Sequence, residues 1–335
     1  MELYPLVMEP YFRHGGETPW GGTMLRDAFG KSSPDLTGES LEISALPGME
    51  SIVRNGPHAG KTLPAMIALW GERLTGANFE KFPLLLKLLD VEDRLSVQVH
   101  PDDAYAASEG RLGKTEAWII LNCDPDVKIV YGLEPLCEPL ETILEKGELE
   151  SVLHTQAVRP GDVYYIPHGM VHSIGGGVQI YEIQQSSDAT YRFWDWNRVD
   201  ANGRSRELHT RQGLDVTRPD LRLDKIPGTT ILRKGGSQTY YIANENFELS
   251  RLNVSGEMPL PSGRMLFLTP TCPILLRYPG GEIEPAPFDS VLLPAELQGA
   301  SIVGEGKVLM STVSDRAALR AELGYRAPDV AGLVD

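Results

Sequence analysis

The chain has 335 residues, 41% hydrophobic and 23% charged, an ordinary globular balance with enough length for two β-rich domains that each bury a core. Its formal net charge of −15 repels nucleic acid and anionic membranes at long range, so a phosphorylated ligand must be met by locally clustered cations. The only cysteines, Cys123, Cys137 and Cys272, are odd in number and lack metal-type spacing, which predicts reduced thiols and a cytoplasmic protein.

The N-terminal run Met1-Glu2-Leu3-Tyr4-Pro5-Leu6-Val7 lacks the basic region and apolar core of a secretion signal, and no later run approaches membrane-spanning length. With 25 Pro and 34 Gly between short β-rich runs, the chain is expected to be mainly β, in barrels or sandwiches with few helices. A helix is predicted from Thr62 to Thr75. Thr62 is the N-cap, apolar Leu63, Met66, Ile67, Leu69 and Trp70 recur at helical spacing, and Gly76 follows the end.

The segment Leu95 to His100 alternates strictly, so Leu95, Val97 and Val99 share one strand face while Ser96, Gln98 and His100 share the other. The same alternation puts Lys114, Glu116 and Trp118 on one face, where a cation and a carboxylate can enter one cavity. A second helix is expected within Pro139 to Leu153. Pro160-Gly161-Asp162 reads as a turn, Val163 to Ile166 as a strand, and Pro167-His168-Gly169 as a turn leading to His172, with His168 itself a solvated loop residue. Val178 to Gln184 is another β-rich stretch.

Phe288-Asp289-Ser290-Val291-Leu292-Leu293-Pro294 echoes Gly161 to Pro167 in spacing, and Gly299 stands where the first copy has His172. Two related barrels are therefore expected, joined in the polar stretch from about Arg211 to Gly236. Residues 1–215 form the metal-binding catalytic unit with helical insertions, and 235–318 form a second, metal-free β unit.

Gly161-x5-Pro167-x-Gly169-x2-His172 matches the second cupin motif, in which two turns bracket a strand and aim the His into a barrel. Where the first motif usually offers His-x-His, this chain has Gln98-x-His100, with Glu116 sixteen residues beyond His100 as the candidate carboxylate. Gln98, His100, Glu116 and His172 would supply a mixed N/O site suited to Zn²⁺, with Mn²⁺, Fe²⁺ or Co²⁺ as other occupants. The remaining histidines His14, His58, His154 and His209 have no such context.

Gly38 to Ser44, Phe82 to Lys87, Ser96 to Asp103, Gly113 to Glu116 and the long stretch Gly161 to Arg198 resemble the type I mannose-6-phosphate isomerases, in their short bacterial form. The resemblance runs from about Trp20 to Val313. It implies two cupin-type jelly-roll barrels with a few short helices, and one Zn²⁺ per chain on Gln98, His100, Glu116 and His172. It further implies a catalytic Arg at Arg192 with a carboxylate ten residues earlier at Glu182, and contacts to the sugar phosphate from Ser96, Lys87 and Lys114.

Long members of that family have a Lys where this chain has Arg198, which keeps the charge but cannot act as a base. Leu41 replaces a Trp common in the family and alters a pocket wall, while Glu42 beside it is retained. The implied reaction is aldose to ketose interconversion of mannose-6-phosphate and fructose-6-phosphate through a cis-enediol, with Glu182 as first choice for the proton shuttle and Glu42 as second. Arg192 and Lys114 complete the catalytic set, and Ser96, Lys87, Glu42 and Arg198 the substrate-binding set. The competing reading is a non-catalytic cupin that binds a phosphosugar. The expected partner is a hexose phosphate, with no nucleic acid or membrane, and monomer and homodimer both stay open.

Overall fold

The computed structural model describes residues 2–200 and 202–323. The strands form three antiparallel sheets of ten, six and five strands. The six-stranded sheet lies in the middle, and its strands explain the unbroken apolar run Leu84-Leu85-Leu86 that precedes Lys87. Every residue of the Leu84–Val91 strand is buried, because both faces of that sheet are covered.

Alternation then sorts the side chains. Leu89 and Val91, with Trp118, Ile120, Val178 and Ile180 from neighbouring strands, pack on Ile129, Tyr131 and Ile174 of the five-stranded sheet. Leu84, Leu86 and Leu88, with Ala117, Ile119, Tyr181 and Ile183, pack on Phe267, Leu268, Val291, Leu292 and Met310 of the ten-stranded sheet. One face of the middle sheet thus closes the first barrel, and the other face joins the second half of the chain.

The Thr62 to Thr75 helix is two helices, Leu63–Trp70 and Glu72–Thr75. Thr62 accepts from the Ala65 amide as the cap, but Gly71 between the two adopts φ 52° and ψ −134°, a conformation that a continuing helix cannot contain. The expected second helix is Leu140–Glu145, followed by a 3₁₀ turn at Leu149–Val152.

The echoed turns share geometry as well as spacing. Gly161 and Phe288 both have positive φ, at 92° and 65°, and Asp162 and Asp289 each accept from the backbone amide three residues earlier, at 3.1 and 2.9 Å. The N-terminal strand Leu6–Glu9 does not stay with the first barrel. It pairs with Ser290–Leu292 in the ten-stranded sheet, and Ile52–Val53 joins it there. A helix, Thr210–Val216, and an irregular segment precede the first strand of the second half, Thr229–Arg233.

Candidate active site

Val97–Val99 is a short strand of the five-stranded sheet whose apolar residues enter a local core with Tyr191 and Phe193. Its opposite face carries Ser96, Gln98 and His100 into the barrel. His172 opens the next strand directly opposite Gln98, and Glu116 opens its own strand on the middle sheet, opposite Gln184. The ligand-capable atoms of His100, Glu116 and His172 all lie within 4.8 Å of one another, and the three residues are buried.

The rings are oriented from behind. His100 Nδ1 lies 2.8 Å from the Ala189 carbonyl and His172 Nδ1 lies 2.9 Å from the Met170 carbonyl, so each Nδ1 carries the proton and each Nε2 lone pair faces inward. Burial keeps both rings neutral, helped by the Lys114 charge, and pushes His100 down to about 3. Burial works against an ionised Glu116, but the Lys114 charge outweighs it and holds the carboxyl well below its usual range. Its oxygens are 3.5 Å from His100 Nε2 and 3.4 Å from His172 Nε2. Two neutral imidazoles converging on one carboxylate form a donor set that fits a divalent metal, and the Gln98 amide nitrogen borders it 3.3 Å from His172 Nε2.

Lys114 Nζ sits 3.0 Å from both Glu116 Oε2 and His100 Nε2. Glu182, on the strand beside Glu116, accepts from Trp118 Nε1 at 2.9 Å with one oxygen, while the other lies 3.4 Å from Lys87 and has no hydrogen-bond partner. Burial raises its proton affinity, and the neighbouring Glu116 charge raises it further.

A cleft of about 360 Å³ leads to this cluster, lined by Leu41, Lys87, Ser96, Gln98, Lys114 and Arg192 among others. Arg192 donates from Nε to Ser96 Oγ at 3.1 Å and from Nη1 to the Glu207 carbonyl at 2.9 Å. Nine of the eleven residues expected at the site face one barrel interior and its cleft; Glu42 and Arg198 do not. Alternation along the strand puts Glu42, the neighbour of cleft-lining Leu41, on the far face of the middle sheet with Ser40, where it is fully buried, 2.6 Å from Lys31 Nζ and 2.6 Å from Ser40 Oγ. Arg198 is at the rim but turned from the cleft, bonded to Asp195 and Asp93, each at 2.9 Å, and to the Arg94 carbonyl.

The cleft also holds residues not expected there: Arg13, Glu39, Arg111, Arg206 and His209. Glu39 was legible, since it lies two residues before Leu41 on the same strand face and pairs with Arg13 at 3.0 Å. The others come from irregular segments or strand ends, where no periodicity marks a direction.

A family profile described as the phosphomannose isomerase type I catalytic domain matches residues 15–126. The chain is 36% identical to mannose-6-phosphate isomerase ManA of Bacillus subtilis (strain 168), covering 93% of this chain and 99% of the relative. It is 40% identical to a mannose-6-phosphate isomerase of Streptococcus mutans, over 72% of this chain and 77% of that one. A crystal structure of a Bacillus subtilis mannose 6-phosphate isomerase superimposes with a TM-score of 0.85 at 36% identity, covering 92% of this chain and 99% of the other. With such identity along nearly the whole chain and the matching fold, the chain belongs to the type I phosphomannose isomerases, a family of enzymes.

Proposed function

We propose that this chain interconverts mannose-6-phosphate and fructose-6-phosphate through a cis-enediol, with one zinc ion per chain on Gln98, His100, Glu116 and His172. The observation that carries the reading is the convergence of two neutral imidazoles and Glu116 beside a second buried carboxylate, Glu182, at the inner end of a cation-lined cleft. Zinc suits two imidazoles with oxygen donors and an exchangeable position, and Mn²⁺, Fe²⁺ or Co²⁺ are the ions that compete for such a set. When bound, the metal supplies Lewis-acid stabilisation of the negative charge that develops on the substrate's carbonyl oxygen.

Glu182 takes the proton from C2 and returns it to C1. Its raised proton affinity makes its carboxylate a stronger base than an ordinary surface Glu, and it has one oxygen free for the task. Glu42, sealed against Lys31 and Ser40, has neither an approach to the sugar nor a free oxygen, which favours Glu182. Lys87 keeps the Glu182 carboxyl in place. Lys114, beside Glu116, donates to a sugar oxygen, and Ser96 and Arg192 extend the donor row toward the mouth of the cleft.

The test is a substrate panel on protein of measured metal content: mannose-6-phosphate, glucose-6-phosphate and the unphosphorylated sugars, in a coupled assay. Turnover of mannose-6-phosphate that tracks zinc content is expected. A fully metallated protein inert toward every sugar phosphate would refute the reading.

A further inference from the structure

The cations of the cleft are not equally available. Lys87 lies 3.4 Å from Glu182 and 3.8 Å from Glu39, Lys114 lies 3.0 Å from Glu116, Arg13 lies 3.0 Å from Glu39, and Arg111 lies 3.5 Å from Asp188. A dianion placed at the inner end would face Glu116 and Glu182 as well as the lysines. Arg192 alone among the cleft cations has no carboxylate within ion-pair distance among the described residues, and after burial the charge of Arg206 is what most weakens its hold on a proton. Two guanidinium groups therefore stand together at the outer end.

Arg206 is presented by a clamp. Asp195, 4% exposed, accepts from its Nε at 2.7 Å and from its Nη2 at 2.5 Å. This fork fixes the plane of the guanidinium and leaves Nη1 without a protein acceptor among the described residues. Asp195 also accepts from Arg198 at 2.9 Å, so its single charge is spread over two cations and the group keeps a positive surplus. A relay of short contacts joins this end to the metal-capable cluster: Arg192 Nε to Ser96 Oγ at 3.1 Å, Ser96 Oγ to Gln98 Oε1 at 3.2 Å, and Gln98 to His172 at 3.3 Å.

We infer that Arg206 binds the phosphate of the substrate beside Arg192, and that Asp195 is the positioning residue that presents Arg206. Lys87 and Lys114 then meet the sugar's oxygens, and the substrate lies with its carbonyl inward and its phosphate at the cleft mouth. The surplus positive charge explains how a chain of net charge −15 attracts a dianion. The inference rests on the isomerase reading and adds to it the residue that recognises phosphate.

The experiment is steady-state kinetics with mannose-6-phosphate and competition by inorganic phosphate, on metallated wild type, Arg206→Gln, Arg206→Lys, Asp195→Asn and the Arg206→Gln/Asp195→Asn double variant. Arg206→Gln is expected to raise KM and the phosphate inhibition constant about tenfold or more, with kcat within about threefold and metal content unchanged. Arg206→Lys keeps the charge without the fork, so it should recover only part of the affinity and serves if the Gln variant folds poorly. Asp195→Asn should raise KM, and the double variant should be no worse than Arg206→Gln, because the Asp acts through the Arg. Wild-type KM and phosphate inhibition in folded Arg206→Gln would overturn the assignment of Arg206. Multiplying effects in the double variant would overturn the positioning role of Asp195. A wild-type enzyme that turns over no sugar phosphate would instead sink the isomerase reading.

Discussion

Glu116 and Glu182 lie on paired strands of the middle sheet, and their surroundings push their proton affinities in opposite directions. Lys114 keeps Glu116 ionised against its burial, as a metal ligand requires. Burial and the Glu116 charge together make Glu182 hold its proton more tightly, as a proton shuttle requires. Substitution separates the roles. Glu116→Gln keeps the size but loses the charge, so metal occupancy should fall and excess zinc should restore part of the activity. Glu182→Gln should keep its metal yet lose kcat by about a hundredfold or more, with exchange of the C2 proton into deuterated solvent slowed in parallel. Metal analysis beside the kinetics checks both, and loss of metal from the Glu182 variant would mean the two carboxylates had been assigned the wrong way round.

Elements differ in how openly the chain announces them. The Val97–Val99 strand, the turn at Gly161 and the strand opening at His172 are set by local rules, alternation and turn residues, and so were readable in advance. The Leu84–Val91 strand is apolar on both faces, so its alternation does not say which way Lys87 points; only the two cores on either side decide that. Arg206 and His209 reach the cleft from a segment with almost no regular structure, and tertiary packing alone places them. Gly71 ended the predicted helix early because nothing in a hydrophobic pattern reports a backbone reversal. Its conformation is strained for any residue with a Cβ, although the space around it is open, so Gly71→Ala should lower stability by about 1 kcal/mol or more, measured by urea unfolding.

In the second half, Glu248 on the Phe247–Pro259 strand is 2% exposed, and burial raises its carboxyl above the ordinary range despite Arg264 at 3.1 Å. A raised value in the folded state gives stability that is present below the unfolded value of about 4.3 and lost as pH rises through the folded one. Glu248→Gln cannot ionise, so its melting temperature relative to wild type should climb as pH increases from 4. A relative melting temperature that falls over that interval would mean that the Arg264 pair outweighs burial.

At the scale of the whole molecule, the middle sheet carries Lys87, Glu116 and Glu182 on one face and the contact with the second half on the other. Tyr181, the residue before Glu182, donates or accepts at 2.8 Å across that contact with Ser311. The apolar cores on both sides of the sheet are built without the metal-capable residues. Stripping the metal should therefore abolish activity while leaving far-UV circular dichroism and most of the unfolding free energy in place, and added zinc should restore turnover. Lys114 strengthens this expectation, because its ammonium lies 3.0 Å from both Glu116 and His100 and leaves no unpaired buried carboxylate behind. In Lys114→Ala that compensation is gone. The drop in unfolding free energy on chelation should then be larger than in wild type, by an amount set by a buried charge left alone, about 3–5 kcal/mol at most. Unfolding of the chelated wild type would mean that the metal is structural, and equal drops in the two proteins would mean that Lys114 does not stabilise the metal-free cluster.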